Sequence, residues 1–199
     1  MSRRLVVLVA VLATALLVVP AAFALRVHVR VEGKTQTIYG SAEPTLNVKA
    51  NALDALDSAS VAGEFYYHVT TTSFGPYVDQ VGRYVAGGSN GWVFKVNGVS
   101  PPVGADAVTL KDGDRVLWYW ATFGPKGGPP TLSLRAGPKR NCYRVLAQDD
   151  TGKTTPARGA RLHVSGHSVP ARTGSACIGA HPGLVTATLK GAVRSNAVR

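Results

Sequence analysis

The chain has 199 residues, with 22 Lys and Arg against 11 Asp and Glu, a formal net charge of +11 at pH 7 and two cysteines. That length holds two small domains once a targeting segment is removed, and two cysteines exclude more than one disulfide. The basic excess points to an anionic partner.

The N-terminus reads as a signal peptide over residues 1–24. Arg3 and Arg4 form a basic start, Leu5 to Val19 is apolar apart from Thr14, and Ala22-Phe23-Ala24 gives the small-x-small cleavage pattern. A run of about 15 residues is shorter than the ~20 that span a bilayer, so no stable membrane span is expected after cleavage. A retained anchor is the alternative. Ser2-Arg3-Arg4 also fits a twin-arginine signal, although the hydrophobicity behind it favours the general secretory route. The expected location is secreted, extracellular or bound to the cell envelope.

The first domain is expected over residues 25–123. Arg26 to Val31 alternates apolar and polar, Glu32-Gly33-Lys34 supplies a turn, and Thr35 to Tyr39 returns as a strand. Ala52, Leu53, Ala55, Leu56, Ala59 and Ser60 recur at helical spacing behind the N-cap candidate Asn51. Phe65 to Thr71, Tyr77 to Tyr84 with a break at Gly82, Trp92 to Val96, Ala105 to Leu110 and Arg115 to Ala121 read as strands. The pattern is mainly β, an α+β fold with a small antiparallel sheet and one short helix.

Residues 124–130, Gly-Pro-Lys-Gly-Gly-Pro-Pro, form the expected linker. Residues 131–199 show no helical period. Thr131 to Arg135, Cys142 to Gln148, Ala160 to Val164, Ala176 to Ile178, Leu184 to Leu189 and Ser195 to Val198 are short alternations that suggest a small β-sandwich. In an exported protein Cys142 and Cys177 read as a disulfide, with two buried thiols as the alternative. Charge divides at the linker. Residues 25–123 carry eight Lys and Arg against nine Asp and Glu, and residues 124–199 carry twelve against two.

Ala52-Leu53-Asp54-Ala55-Leu56, Gly91-Trp92-Val93-Phe94-Lys95-Val96-Asn97-Gly98 and Leu110-Lys111-Asp112-Gly113-Asp114 leading to Trp118 occur in this order. Together they make the first domain resemble the transcobalamin-like C-terminal domain, which also occurs alone in exported bacterial proteins as a domain of unknown function. The second half, through Asp150-Thr151-Gly152, Pro156 to Ala160 and Arg194-Ser195-Asn196, is similar to immunoglobulin-like or carboxypeptidase-regulatory-like sandwiches. The first resemblance implies a recognition face and cobalamin as an alternative ligand. In the carriers, however, a large helical barrel closes over the corrin, and no such barrel is legible here.

Trp92, Phe94, Asn97, Trp118 and Tyr119 are the candidate ligand-binding residues. Trp92 and Phe94 share one strand face, Trp118 shares the matching face of the next, and Tyr119 points the other way. Packing is the competing role for most of them. Asn97-Gly98 and Asp112-Gly113-Asp114 read as turns, and two aspartates are too few for calcium. Gly87-Gly88-Ser89-Asn90-Gly91 has the letters of a nucleophile elbow but precedes a strand rather than a helix. Thr151-Gly152-Lys153-Thr154 lacks the leading Gly and the helix of a phosphate loop. His163 and His167 flank a turn, which does not aim both at one zinc.

No catalytic set, metal site or cofactor is therefore expected, and the protein is read as non-enzymatic. Arg135, Lys139, Arg140, Arg144, Lys153, Arg158, Arg161, Arg172, Lys190, Arg194 and Arg199 make the second half basic. Lys139, Arg140, Arg144, Arg158 and Arg161 are the candidates for contact with anionic envelope polymers. A surface protein is the other expected partner. Nucleic acid is not expected, since the compartment is wrong and no nucleic-acid motif occurs. The reading is a secreted envelope protein acting as recognition or spacer module, with a small aromatic or corrinoid ligand as the alternative.

Overall fold

The computed structural model describes residues 24–125 and 127–199. The expected signal peptide, apart from Ala24, lies outside the described residues. Among these residues no helix is long and apolar enough to cross a membrane.

The described residues are mostly β with one helix. The strands are β1 (Leu25–Glu32), β2 (Thr37–Tyr39), β3 (Thr45–Val48), β4 (Tyr67–Thr72), β5 (Gly75–Val81), β6 (Tyr84–Val85), β7 (Asn90–Val96) and β8 (Arg115–Thr122), with α1 (Ala52–Gly63) between β3 and β4. After residue 130 come β9 (Thr131–Ala136), β10 (Cys142–Gln148), β11 (Thr154–Pro156), β12 (Ala160–Val164), β13 (His167–Ala171), β14 (Ser175–Cys177) and β15 (Thr186–Thr188).

The main sheet runs β2-β1-β8-β7, and β3 pairs with the same edge of β1 that β2 occupies further along. Every pairing is antiparallel except β1 with β8, which run parallel. A parallel pair needs a long crossover, and here it comprises everything from β2 to β7. α1 begins at Asn51, whose side chain accepts the Asp54 N–H while the Asp54 carboxylate accepts the Asn51 N–H. This reciprocal cap satisfies two otherwise unpaired amides. Ala52, Ala55, Leu56 and Ala59 pack against Val27, Val29 and Val31 of β1.

Ala105 to Leu110 is not a strand. Ala107 closes a turn on Gly104, while the Ala105 carbonyl accepts the Leu53 N–H and the Leu110 N–H donates to Ala50. The buried Ala105 and Leu110 wedge against the start of the helix. Their backbone groups are used there, so no sheet partner is required. The Tyr77–Tyr84 run breaks at Gly82, with φ of 54°, into β5 and β6. Ser195 to Val198 contributes only an isolated bridge, Val198 to Val185. β13 contains Pro170 and is tolerated because it is an edge strand.

The second half has one sheet of β9, β10, β11 and β14 and another of β13, β12 and β15. Leu132, Leu134, Tyr143, Val145, Leu162, Val185 and Ala187 fill the space between them. Cys142 and Cys177, directly opposite across β10 and β14, form the disulfide. Asn196 accepts the Leu134 N–H and donates back to the Leu134 carbonyl, which fixes the C-terminal segment on β9.

Replacing both cysteines by Ala is expected to destabilise the protein by about 2–4 kcal/mol, since the unfolded chain loses a closed loop. Urea denaturation measures this, and an unchanged midpoint would contradict it.

Candidate functional site

The main sheet is covered on both faces. On one side Val29, Val31, Val116, Trp118, Phe94 and Trp92 face α1 and the β5 region. On the other, Arg30, Glu32, Leu117, Tyr119, Val93 and Lys95 form the alternate register and face the second half. Alternation in β1 thus produces a polar face that is buried at Arg30 and Glu32 but open at Arg26.

Trp92 and Trp118 are each only 2% exposed. Trp92 donates its indole N–H to the Tyr84 carbonyl at 2.9 Å and Trp118 donates to the Ala52 carbonyl at 3.0 Å. Phe94 stacks on Trp118 with ring centroids 5.0 Å apart, and Trp92 meets Trp120 edge-on at 5.7 Å. These rings are largely core, with edges reaching a cavity of about 320 Å³ beside the outer edge of β7. Tyr77, Val103 and Phe123, all partly exposed, line its mouth together with Pro101. Tyr119 reaches the cavity from the opposite sheet face, and burial pushes its phenol above its usual range, with the Asp150 charge adding to the shift.

Asn97 does not reach this cavity. It and Gly98 take φ of 52° and 85° in a two-residue hairpin closed by Val96 and Val99, as the twisted strands demand. Its side chain accepts the Arg115 N–H and donates to Asp114, so it holds the β7 and β8 ends together.

The seam between the halves holds the charged groups that sequence patterns did not single out. Glu32 is fully buried. Arg30 Nη1 approaches its Oε1 at 3.4 Å, Arg194 Nε donates to Oε2 at 3.0 Å, and the Thr37 hydroxyl adds a further bond. Arg194 also donates to the Gly33 carbonyl, and Arg30 to the Arg194 carbonyl. Burial pushes the Arg30 guanidinium down and the Glu32 carboxyl up, each shift opposed by the partner's charge. Lys95, also buried, reaches from β7 to the Asp149 carbonyl at 2.8 Å and to Asp150 at 3.3 Å. Burial lowers its ammonium while Asp150 holds it up. Arg194 is therefore a seam residue and not a surface cation.

Of the envelope-contact candidates, Lys139 and Arg140 meet at a depression of about 590 Å³, with Arg199, His181 and Tyr143. Arg144 lies elsewhere, on the outer face of β10 directly opposite Arg135 of β9. Arg158 sits in the turn before β12, and Arg161 on β12 donates to Ser168. Burial, together with the Arg161 charge, holds neighbouring His163 below its usual value. Arg135, Lys139, Arg140, Arg144, Lys153, Arg158, Arg161, Arg172, Lys190 and Arg199 are all exposed. None of them pairs with a carboxylate among the described residues.

Residues 50–122 match a family described as a domain of unknown function (DUF4430). No curated protein matches the chain.

Glu32→Gln removes the carboxylate shared by the buried Arg30 and the half-buried Arg194 and is expected to cost about 3 kcal/mol. Urea denaturation followed by tryptophan emission reads this, and a loss below about 1 kcal/mol would contradict the clamp's role.

Proposed function

We propose that this is a secreted, non-enzymatic envelope protein whose basic second half adsorbs to anionic envelope polymers. Its first half is then held outward as a recognition or spacer module. The observation that carries this reading is the set of exposed Lys and Arg side chains of the second half that have no carboxylate partner among the described residues. Cations left unpaired by their own fold are free to release counterions on meeting a polyanion. Arg135 and Arg144 directly opposite each other repel, and an external anion relieves that cost. Lys139, Arg140 and Arg199 around one depression offer the densest contact.

Retention on isolated cell walls is expected to fall steeply as salt rises, because exposed charges more than about 10 Å apart are screened at 0.1 M. Lys139→Glu combined with Arg140→Glu should weaken retention at low salt. Retention indifferent to salt and to both substitutions would contradict this reading.

The cavity beside β7 favours a second reading, binding of a small aromatic or corrinoid ligand, which the transcobalamin-like resemblance also supports. Its volume of about 320 Å³ lies at the lower end for ligand pockets. It therefore suits one ring system, such as part of a corrinoid, better than a whole one. Calorimetric titration with cyanocobalamin is expected to give one-site heat that Val103→Lys at the mouth abolishes. Heat surviving that substitution would place the ligand elsewhere, and no heat would remove the corrinoid.

A further inference from the structure

We propose that the cleft between the two halves, beside the Glu32 clamp, binds a small molecule through an oxyanion, a phosphate or a carboxylate. The cleft is about 600 Å³ and four cations line it, Arg30, Lys95, Arg115 and Arg135, against the single carboxylate of Glu43. Lys95 is offset by Asp150 and Arg30 shares Glu32 with Arg194, which leaves Arg115 and Arg135 facing the one carboxylate of Glu43.

The decisive group is Arg30. Its side chain is 4% exposed, and among the described residues its hydrogen bonds run through Nη1 only, to Glu32 and to the Arg194 carbonyl. Its Nε is buried without a hydrogen-bond partner, and the Glu43 carboxylate at 3.5 Å lies beyond ordinary hydrogen-bonding distance. Buried donors are almost always satisfied, so a guanidinium N–H held short of hydrogen-bonding contact in a cleft wall suits a closer acceptor brought by a ligand. A guanidinium edge suits an oxyanion, which takes two parallel bonds.

The other cations have separate parts. The Lys95 ammonium is already bonded to Thr131, Gln148 and Asp149, so it contributes field and no free donor. Arg115 is paired to Glu43 and sits where it can exchange that partner for a ligand. Arg135 is exposed and unpaired at the rim. Ala42, Leu117 and Val198 supply apolar wall, so the anion carries a partly apolar body. Apart from Arg135, which lies opposite Arg144 on the outer surface as well as at the cleft rim, this site is separate from the wall-adsorbing cations and does not depend on them.

The test is a nitrogen-15 nuclear magnetic resonance titration of the intact chain, observing arginine Nε–H groups at constant ionic strength held with chloride. Inorganic phosphate is titrated in one arm and acetate in the other. The Arg30 Nε–H signal is expected to shift saturably in at least one arm, which also tells phosphate from carboxylate preference. Arg135→Gln and Arg115→Gln, both at exposed side chains, should each weaken that binding by roughly tenfold, as loss of one charge-assisted contact does. Lys139→Gln with Arg140→Gln should leave it unchanged. A shift no larger than chloride alone produces in both arms would overturn the site. So would saturable binding that survives both arginine substitutions.

Discussion

The buried carboxylate of Glu32, held between Arg30 and Arg194, is the contact on which the arrangement of this chain turns. A lone buried carboxylate is costly, and one with two guanidinium partners and a hydroxyl is tolerated. Arg30 and Glu32 belong to the central strand of the first half, whereas Arg194 comes from the C-terminal segment, 162 residues beyond Glu32. The pairing therefore fixes the end of the chain against its beginning. Lys95 with Asp150, the Ser41 carbonyl with the Ala197 N–H, and Tyr119 packed near Val193 extend the same seam.

That seam decides where function can reside. β8 serves two cores at once, with Trp118 toward the helix and Tyr119 toward the second half. A sheet covered on both faces has no open aromatic platform. The aromatic residues act mainly in packing, and access to them is restricted to the outer edge of β7. Open chemistry is found at the margins instead: the cavity by Tyr77 and Val103, the cleft at the seam, and the cations on the outside of the sandwich.

Much of the local structure was legible because it is encoded locally. The spacing of Ala52, Ala55, Leu56 and Ala59 gives the helix, and Asn51 with Asp54 supplies its cap. Asn97-Gly98 specifies its turn through two positive φ angles, and the pair of cysteines was legible as a bridge on the expectation of export. Ala105 to Leu110 misled, because an alternating apolar run can wedge against a helix as readily as join a sheet. The parallel pairing of β1 with β8 has no short-range signal at all.

The seam was hidden for the same reason. The alternation in Arg26 to Val31 shows which residues share a face but not that both faces are covered, and Glu32, read as a turn residue, instead ends the strand; only the arrival of a second layer makes Arg30 and Glu32 interior. Arg194 looked like one more basic residue in a basic half, since nothing near it in sequence names its partner. Candidate contacts on the aromatic strands were identifiable by residue type, but their exposure depends on packing that the sequence does not display.

Pairing across this seam is expected to lock the two halves into one cooperative unit. Native-state hydrogen exchange measures that directly, by comparing the amides of Val145 and Leu162 in the second half with those of Val29 and Trp118 in the first as urea is raised. Loss of protection at a common urea concentration, coincident with the change in tryptophan emission from Trp92, Trp118 and Trp120, is the predicted result. Earlier loss in the second half, with the emission still native, would contradict it.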